Sequence, residues 1–328
     1  MLASGRAGPS LVQRFGGPVA LTLQLGLLLL LAAAAWWLVG NARDNLAASG
    51  FRSGFEFLGE PAGFDIPQTL VSYSPRSTHA RVFLVGALNT LLVAVLGVML
   101  ATVLGFVLGV LRLSGNLLGR GLSTVYVEVV RNTPLPIQLL IWFNLALLAP
   151  PPSRALQPVP GVFLTNRGLF FPWAGETPRL EGFGFEGGAA LSPALTALLA
   201  ALVVYTAAFI AEVVRGGIQS VPPGQAEAAR ALGLGPAARL RRVILPQALR
   251  VMVPSMASQY LNLTKNSSLA IVVGYPDLVS VFGSTSLTRT GQAIETIALI
   301  MAFYAAVSLA ISALLNGWNA RVARREAR

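Results

Sequence analysis

The chain has 328 residues, 54% hydrophobic and 11% charged, with a mean hydropathy of +0.67. A soluble globular domain carries about 25% charged residues, so this composition excludes one and points to a polytopic protein in contact with membrane lipid. The net charge of +11 is then read as loop topology instead of nucleic-acid affinity, and zero cysteines with a lone His79 leave neither a disulfide framework nor an imidazole set for a metal.

Arg6 and Arg14 precede an apolar run from Val19 to Val39. A cleaved signal peptide is the rival reading, but its core is usually about 7–15 residues. Trp36 and Trp37 suit an interfacial anchor, so a retained first span is expected. Residues 40–81 mix Arg43, Arg52, Arg76 and Arg81 with Asp44, Glu56, Glu60 and Asp65 and read as a loop. The expected division is an N-terminal unit, 1–81, with an extra span and its loop, and a core of five spans, 82–328.

Val82–Leu111 is the second span. Gly97, Ala101, Gly105 and Gly109 recur every four positions along it and let another helix approach closely, for which packing inside the bundle is reason enough.

Val125–Leu148 is the third, and Glu128, Arg131, Asn132, Thr133, Pro134 and Pro136 stand where lipid-facing residues are expected. A charge at the bilayer centre costs about 2.5–3.5 kcal/mol on insertion scales, so these groups should face protein or water. Glu128 and Arg131, three apart, can neutralise each other. A structural ion pair near the membrane surface and a part in transport both remain open. The prolines must distort the helix.

Residues 149–192 are rich in Pro and Gly and hold no run long enough to cross. Within them GFGFEGG matches the dinucleotide fingerprint by letter, but it is expected to follow no strand and to open no crossover unit, so it is set aside.

Pro193–Val214, Leu249–Val273 and Ile294–Leu315 complete six spans. Lys265, Asn266, Ser267 and Ser268 form a polar cluster deep in the fifth; snorkelling, satisfaction by neighbouring carbonyls, or a part in transport would each account for it. Six spans place both termini on one side. That side carries 14 Lys and Arg, counting Arg250 at the very start of the fifth span, against 8 opposite, which the positive-inside rule assigns to the cytoplasm.

Gly216–Arg250 is the polar, basic interruption between the fourth and fifth spans. Pro222 and Pro223 start a first helix, Gly233 supplies a left-handed break, and Gly235 and Pro236 open a second that Pro246 ends. Held at both ends by spans, the pair is a lever, and its alanines keep the first helix narrow enough to enter a groove. The same letters look like a DNA-binding helix-turn-helix. About 35 residues leave no third supporting helix, so no nucleic-acid partner is expected. The only lysine, Lys265, is not part of a G-x-x-x-x-G-K-[ST] loop, so any ATP is bound by another polypeptide.

YTAAFIAEVVRGGIQSVPPGQAEAARALGLGPAARLRRVILPQA, from Tyr205 to Ala248, resembles the E-A-A signature of permease subunits of binding-protein-dependent ABC importers, in particular the polar amino-acid uptake branch. VYVEVVRNTPLPIQ and LTKNSSLA are similar to further patterns of that branch, and the extra span and long loops resemble general L-amino-acid permeases. The resemblance implies an all-α integral membrane protein with about six transmembrane helices and the type I ABC importer permease fold, in the bacterial inner membrane with both termini cytoplasmic. It implies that Gly224, Gln225, Ala226, Glu227, Ala228, Ala229, Arg230 and Gly233 form a coupling helix seated in a pair of ABC ATPase subunits. It further implies a second permease subunit, an extracytoplasmic amino-acid-binding protein, and ATP and Mg used by the partner, with no catalytic residue or cofactor on this chain. For the substrate path the expected residues are Glu128, Arg131, Asn132, Thr133, Lys265, Asn266 and Ser267, because a zwitterion in a dry passage needs both donors and acceptors. A self-sufficient secondary transporter or channel for amino acids is the alternative that the intramembrane charges allow; inverted repeats would favour it, and none is visible in the sequence.

Overall fold

The computed structural model describes residues 18–48 and 54–326. Arg6, Arg14 and Arg52 lie outside them. The chain divides into two units, Met1–Phe55 and Glu56–Arg328. In the first, α1 (Pro18–Ala48) is a single helix of 31 residues. At about 1.5 Å per residue it is longer than the roughly 30 Å hydrocarbon core of a bilayer. Its leucines from Leu23 to Leu31, Trp36 and Trp37 are all exposed, as expected of a helix with lipid on every side.

The second unit contains α2 (His79–Arg112), α3 (Leu117–Asn132), α4 (Leu135–Leu147), α5 (Pro193–Gln219), α6 (Pro223–Ala231), α7 (Leu245–Asn266) and α8 (Ala293–Glu326). Among the described residues α2, α5 and the Ala293–Leu315 part of α8 are each long and apolar enough to cross a membrane alone. The expected third span is two helices: Thr133 turns out of helical backbone because the residue before a proline is pushed toward extended geometry, and α4 begins after Pro134.

α5 is the central helix, with Leu195, Leu198, Ala201, Ile210, Ala211 and Val214 wholly buried. α2 runs parallel to it in close contact. A Cβ at Gly105 would lie 2.6 Å from Cβ of Ile210, and one at Gly109 would lie 2.7 Å from the carbonyl of Ala211. The small-residue stripe therefore serves packing within the chain, which in lipid rests on van der Waals contact.

Residues 149–192, expected as plain loop, hold six short strands: β1 (Leu156–Val159), β2 (Val162–Thr165), β3 (Gly168–Phe171), β4 (Arg179–Glu181), β5 (Gly184–Glu186) and β6 (Ala189–Leu191). β1-β2-β3-β6 form one antiparallel sheet and β4-β5 a hairpin. The GFGFEGG string does follow a strand, contrary to expectation, but it is the hairpin's turn and second strand, with Gly182 at φ +59°. No helix opens on it, so it is not a dinucleotide site. β6 leads directly into α5, whose first turn is capped by Ser192 Oγ accepting from Leu195 N–H at 3.2 Å.

The regular part of the fifth span ends at Asn266. A tight turn through Ser267–Leu269, a short helix Ala270–Val273 and left-handed Gly274 (φ +73°) interrupt the regular helix, after which π-helical Val279–Ser286 continues along α2 towards His79. Buried Asn89 of α2 pins this interruption by donating to the carbonyls of Gln68 (2.9 Å) and Pro276 (2.8 Å).

Candidate functional site

The expected coupling segment is built almost entirely from local rules. Pro222 and Pro223 open α6, where a missing N–H costs nothing. Its C-terminus is a Schellman turn: Gly233 N–H donates to Arg230 O at 2.9 Å, Leu234 N–H donates to Ala229 O at 3.1 Å, and Gly233 has φ +78°. Ala229 is the single buried residue of the helix and Ala226 is half-buried. Gly224, Gln225, Glu227, Ala228, Arg230 and Gly233 are exposed, and Leu232 stands 81% exposed at its end.

The second helix departs from expectation. Pro246 does not end it: Pro236–Arg239 continues through a π-helical stretch, Leu240–Ile244, into α7. Pro246 falls in the first turn of α7, where its ring fits. The polar stretch thus joins α7 without an interruption of helix, and α7 packs back on α5. A Cβ on Gly217 would lie 2.2 Å from Met252 Cγ.

An ionic cluster stands where α5 meets this segment. Arg112 at the end of α2 donates from Nη1 to Glu212 Oε2 of α5 at 2.5 Å, and its Nη2 lies 3.9 Å from Glu128 Oε1 of α3. Arg215, one turn after Glu212, donates to the same carboxylate and to Gln219 Oε1. The Arg112 side chain is 11% exposed, so its charge is largely withdrawn from solvent and held by carboxylates from two helices.

The expected Glu128–Arg131 pair does not form. Glu128 faces Arg112, and the Arg131 guanidinium lies over the Phe209 ring of α5, 5.1 Å from its centroid. An aromatic face takes a guanidinium well, and a cation in the last turn of α3 also suits the helix dipole. Asn132 and Thr133 donate back to the carbonyls of Glu128 and Val129, both at 2.8 Å. Buried Gln138 of α4 donates to Val130 O at 2.9 Å and Thr133 O at 3.0 Å, repairing carbonyls freed by the break at Pro134.

Of the other expected path residues, Lys265 is exposed, Asn266 half-buried, and Ser267 fully buried with its hydroxyl on Thr264 O. Among the described residues no hydrogen bond or ion pair joins Lys265–Ser267 to Glu128–Thr133. Glu128, Arg131, Asn132 and Lys265 lie open on this chain's surface, so in a membrane another surface or water must cover them. Sequence reasoning missed Arg112, which was counted as a loop charge, and Gln138, whose spacing of four from Pro134 was the available signal. Among the described residues no group of three acidic or histidine side chains is placed to hold a metal.

Residues 95–328 match the family model described as binding-protein-dependent transport system inner membrane component. The putative amino-acid ABC transporter permease protein YhdX of Escherichia coli (strain K12) is 42% identical, over 88% of this chain and 90% of its own length. The general L-amino acid transport system permease protein AapQ of Rhizobium johnstonii is 40% identical, over 92% and 91%. Among solved structures, an amino acid ABC transporter crystallised with histidines is 27% identical with a TM-score of 0.56, covering 74% of this chain and 95% of that one. The MetNI methionine ABC transporter, at 20% identity and TM-score 0.54, shares the fold.

Proposed function

We propose a working mechanism from the premise that this chain belongs to the family of binding-protein-dependent transport system inner membrane components. It is a permease subunit of an ABC importer; ATP is hydrolysed on a separate ATPase subunit. The relatives named for general L-amino acid transport support amino acids as its cargo. The 14 to 8 division of basic residues supports an orientation with both termini and α6 in the cytoplasm.

In this reading α6 seats in a cleft of the ATPase pair through Gly224, Gln225, Ala226, Glu227, Ala228, Ala229, Arg230 and Gly233. The observation that carries it is the helix itself: it is capped at its C-terminus, its ends are fixed by α5 and α7, and it buries one residue in its own chain. A short helix that buries so little on its own chain is stable only where something else packs on it. ATP binding and hydrolysis with Mg in the partner supply the energy. Movement of α6 is passed to α5 and α7 together, because Gly217 and Met252 leave no room for one to slide past the other. The Arg112–Glu212 bridge carries that movement to α2.

Glu128, Arg131, Asn132, Thr133, Lys265, Asn266 and Ser267 line the substrate path, closed from lipid by a second permease subunit, and an extracytoplasmic binding protein delivers the amino acid. Reconstitution tests this reading. Vesicles holding this chain with its ATPase, second permease and binding protein should accumulate a radiolabelled amino acid only with internal ATP. Accumulation by this chain alone on an ion gradient would replace the reading with a secondary transporter.

A further inference from the structure

The strand-bearing end of the second unit holds a cavity of about 550 Å³ that the transport mechanism above does not use. Small-molecule sites run from about 300 to 1,000 Å³. Its walls come from segments far apart in the chain: Gln68 ahead of α2, Phe143 and Leu147 of α4, Arg167 in the turn between β2 and β3, the first turn of α5, and Val273 and Pro276 at the break in the fifth span.

These walls are held from behind. Asn89, 0% exposed, donates to the carbonyls of both Gln68 and Pro276, and Ser192, the cap of α5, donates from its hydroxyl to Gln68 Oε1 at 3.1 Å. Thr165, also 0% exposed, accepts from Arg167 N–H at 3.1 Å and donates to Gly168 O at 3.2 Å, which sets the turn that carries Arg167. The Arg167 side chain is tethered in turn, its Nη1 donating to Phe183 O at 2.8 Å.

Among the described residues Arg167 is the only charged one lining this cavity. No carboxylate pairs with it, and its Nε and Nη2 have no acceptor there, nor has Gln68 Nε2. The cavity thus combines a positive charge and unsatisfied donors with an apolar wall of Phe143, Leu147 and Val273, and no acidic group opposes an anion.

We propose that this cavity is an entry site that takes the carboxylate of a free amino acid before it reaches the membrane path, with Arg167 as the residue that binds it; the assignment rests on the amino-acid transport reading above. A guanidinium meets a carboxylate through two parallel N–H···O bonds, and tethering at Nη1 leaves the Nε–Nη2 edge for that fork. The apolar wall accepts an aliphatic side chain. Val273 stands six residues after Ser267 of the proposed path, so entry site and path adjoin along one segment.

The test is equilibrium binding of radiolabelled L-leucine to the purified complex of this chain with its second permease and ATPase, without binding protein. Saturable binding is expected, and L-leucinamide, which lacks the carboxylate, should not compete for it. Arg167→Gln keeps an N–H donor for Phe183 O but removes the charged fork, and should weaken binding about ten-fold or more. Arg179→Gln, in the neighbouring hairpin and outside the cavity, should leave it unchanged. Ala190→Trp, at an exposed position on the cavity wall, should abolish binding by filling the space, and it decides alone if Arg167→Gln does not accumulate. Unaltered binding in Arg167→Gln or Ala190→Trp, or full competition by L-leucinamide, would overturn the site. If that happens while the importer still takes up L-leucine with ATP, the transport reading stands; no ATP-driven uptake of any amino acid by the unmodified importer would overturn both.

Discussion

Arg112 and Glu212 join the ends of the two central helices by a 2.5 Å hydrogen bond, although 100 positions separate them in the chain. Glu212 sits two turns before the end of α5, and Arg112 is the last residue of α2, so the contact lies where any motion of α6 must enter the bundle. Arg112→Glu and Glu212→Arg should each sharply reduce uptake, by an order of magnitude or more. Because Glu212 is partly exposed, the stability cost of each should be about 1–2 kcal/mol, below the 3–5 kcal/mol of a fully buried pair. The double exchange should recover uptake in vesicles only in part, because it also sets a carboxylate against Glu128 and a guanidinium against Arg215, and uptake below that of both single variants would contradict the pairing.

Gly105 permits the close approach of α2 to α5, so Gly105→Val would drive a branched side chain into Ile210. Overpacking of this kind costs about 1–3 kcal/mol. The expected result is a lower unfolding midpoint and less protein in the membrane. Gly121→Ala, with nothing within 4 Å of the added carbon, is the control that should change neither.

Gln138→Leu should weaken the break between α3 and α4. It leaves the half-buried carbonyl of Thr133 without the Gln138 amide donor and Val130 O with only the Thr133 N–H, at about 1 kcal/mol. Thermal unfolding reads the loss, which Gln138→Glu should not restore because a carboxylate cannot donate to both carbonyls.

Lys265→Ala and Glu128→Ala remove charges that are exposed on this chain and, on the proposed assembly, line the path. Uptake should fall while the amount of copurifying ATPase stays at the wild-type level. Loss of the ATPase in either variant would reassign the residue to assembly.

What was legible in the sequence was what local chemistry decides. Pro223 and Gly233 bound α6 because a first-turn proline and a left-handed glycine act through their own backbones. The apolar runs gave α2, α5 and the Ala293–Leu315 part of α8 among the described residues, while the third expected span proved to be two helices, and the four-residue spacing of Gly97 to Gly109 gave a packing face. The partners of charges were not legible. The (i, i+3) rule suggested Glu128 with Arg131, but Phe209 and Arg112 come from distant positions and competed successfully for both. Pro246 misled for a related reason: a proline reads as a stop, yet in the first turn of α7 it is compatible with helix. The strands of 149–192 were hidden because each is only three or four residues long and the pairing that makes them strands is non-local.

Gly233→Asp tests most directly whether α6 is the surface through which the ATPase drives this chain. An added Cβ there meets nothing within 4 Å, and aspartate tolerates left-handed backbone better than most residues, so the fold should persist while a negative charge enters the docking edge. In vesicles containing the whole importer, ATP-driven amino-acid uptake should fall to background, with the variant inserted at the wild-type level and little ATPase copurifying. Normal uptake by that variant would contradict the account.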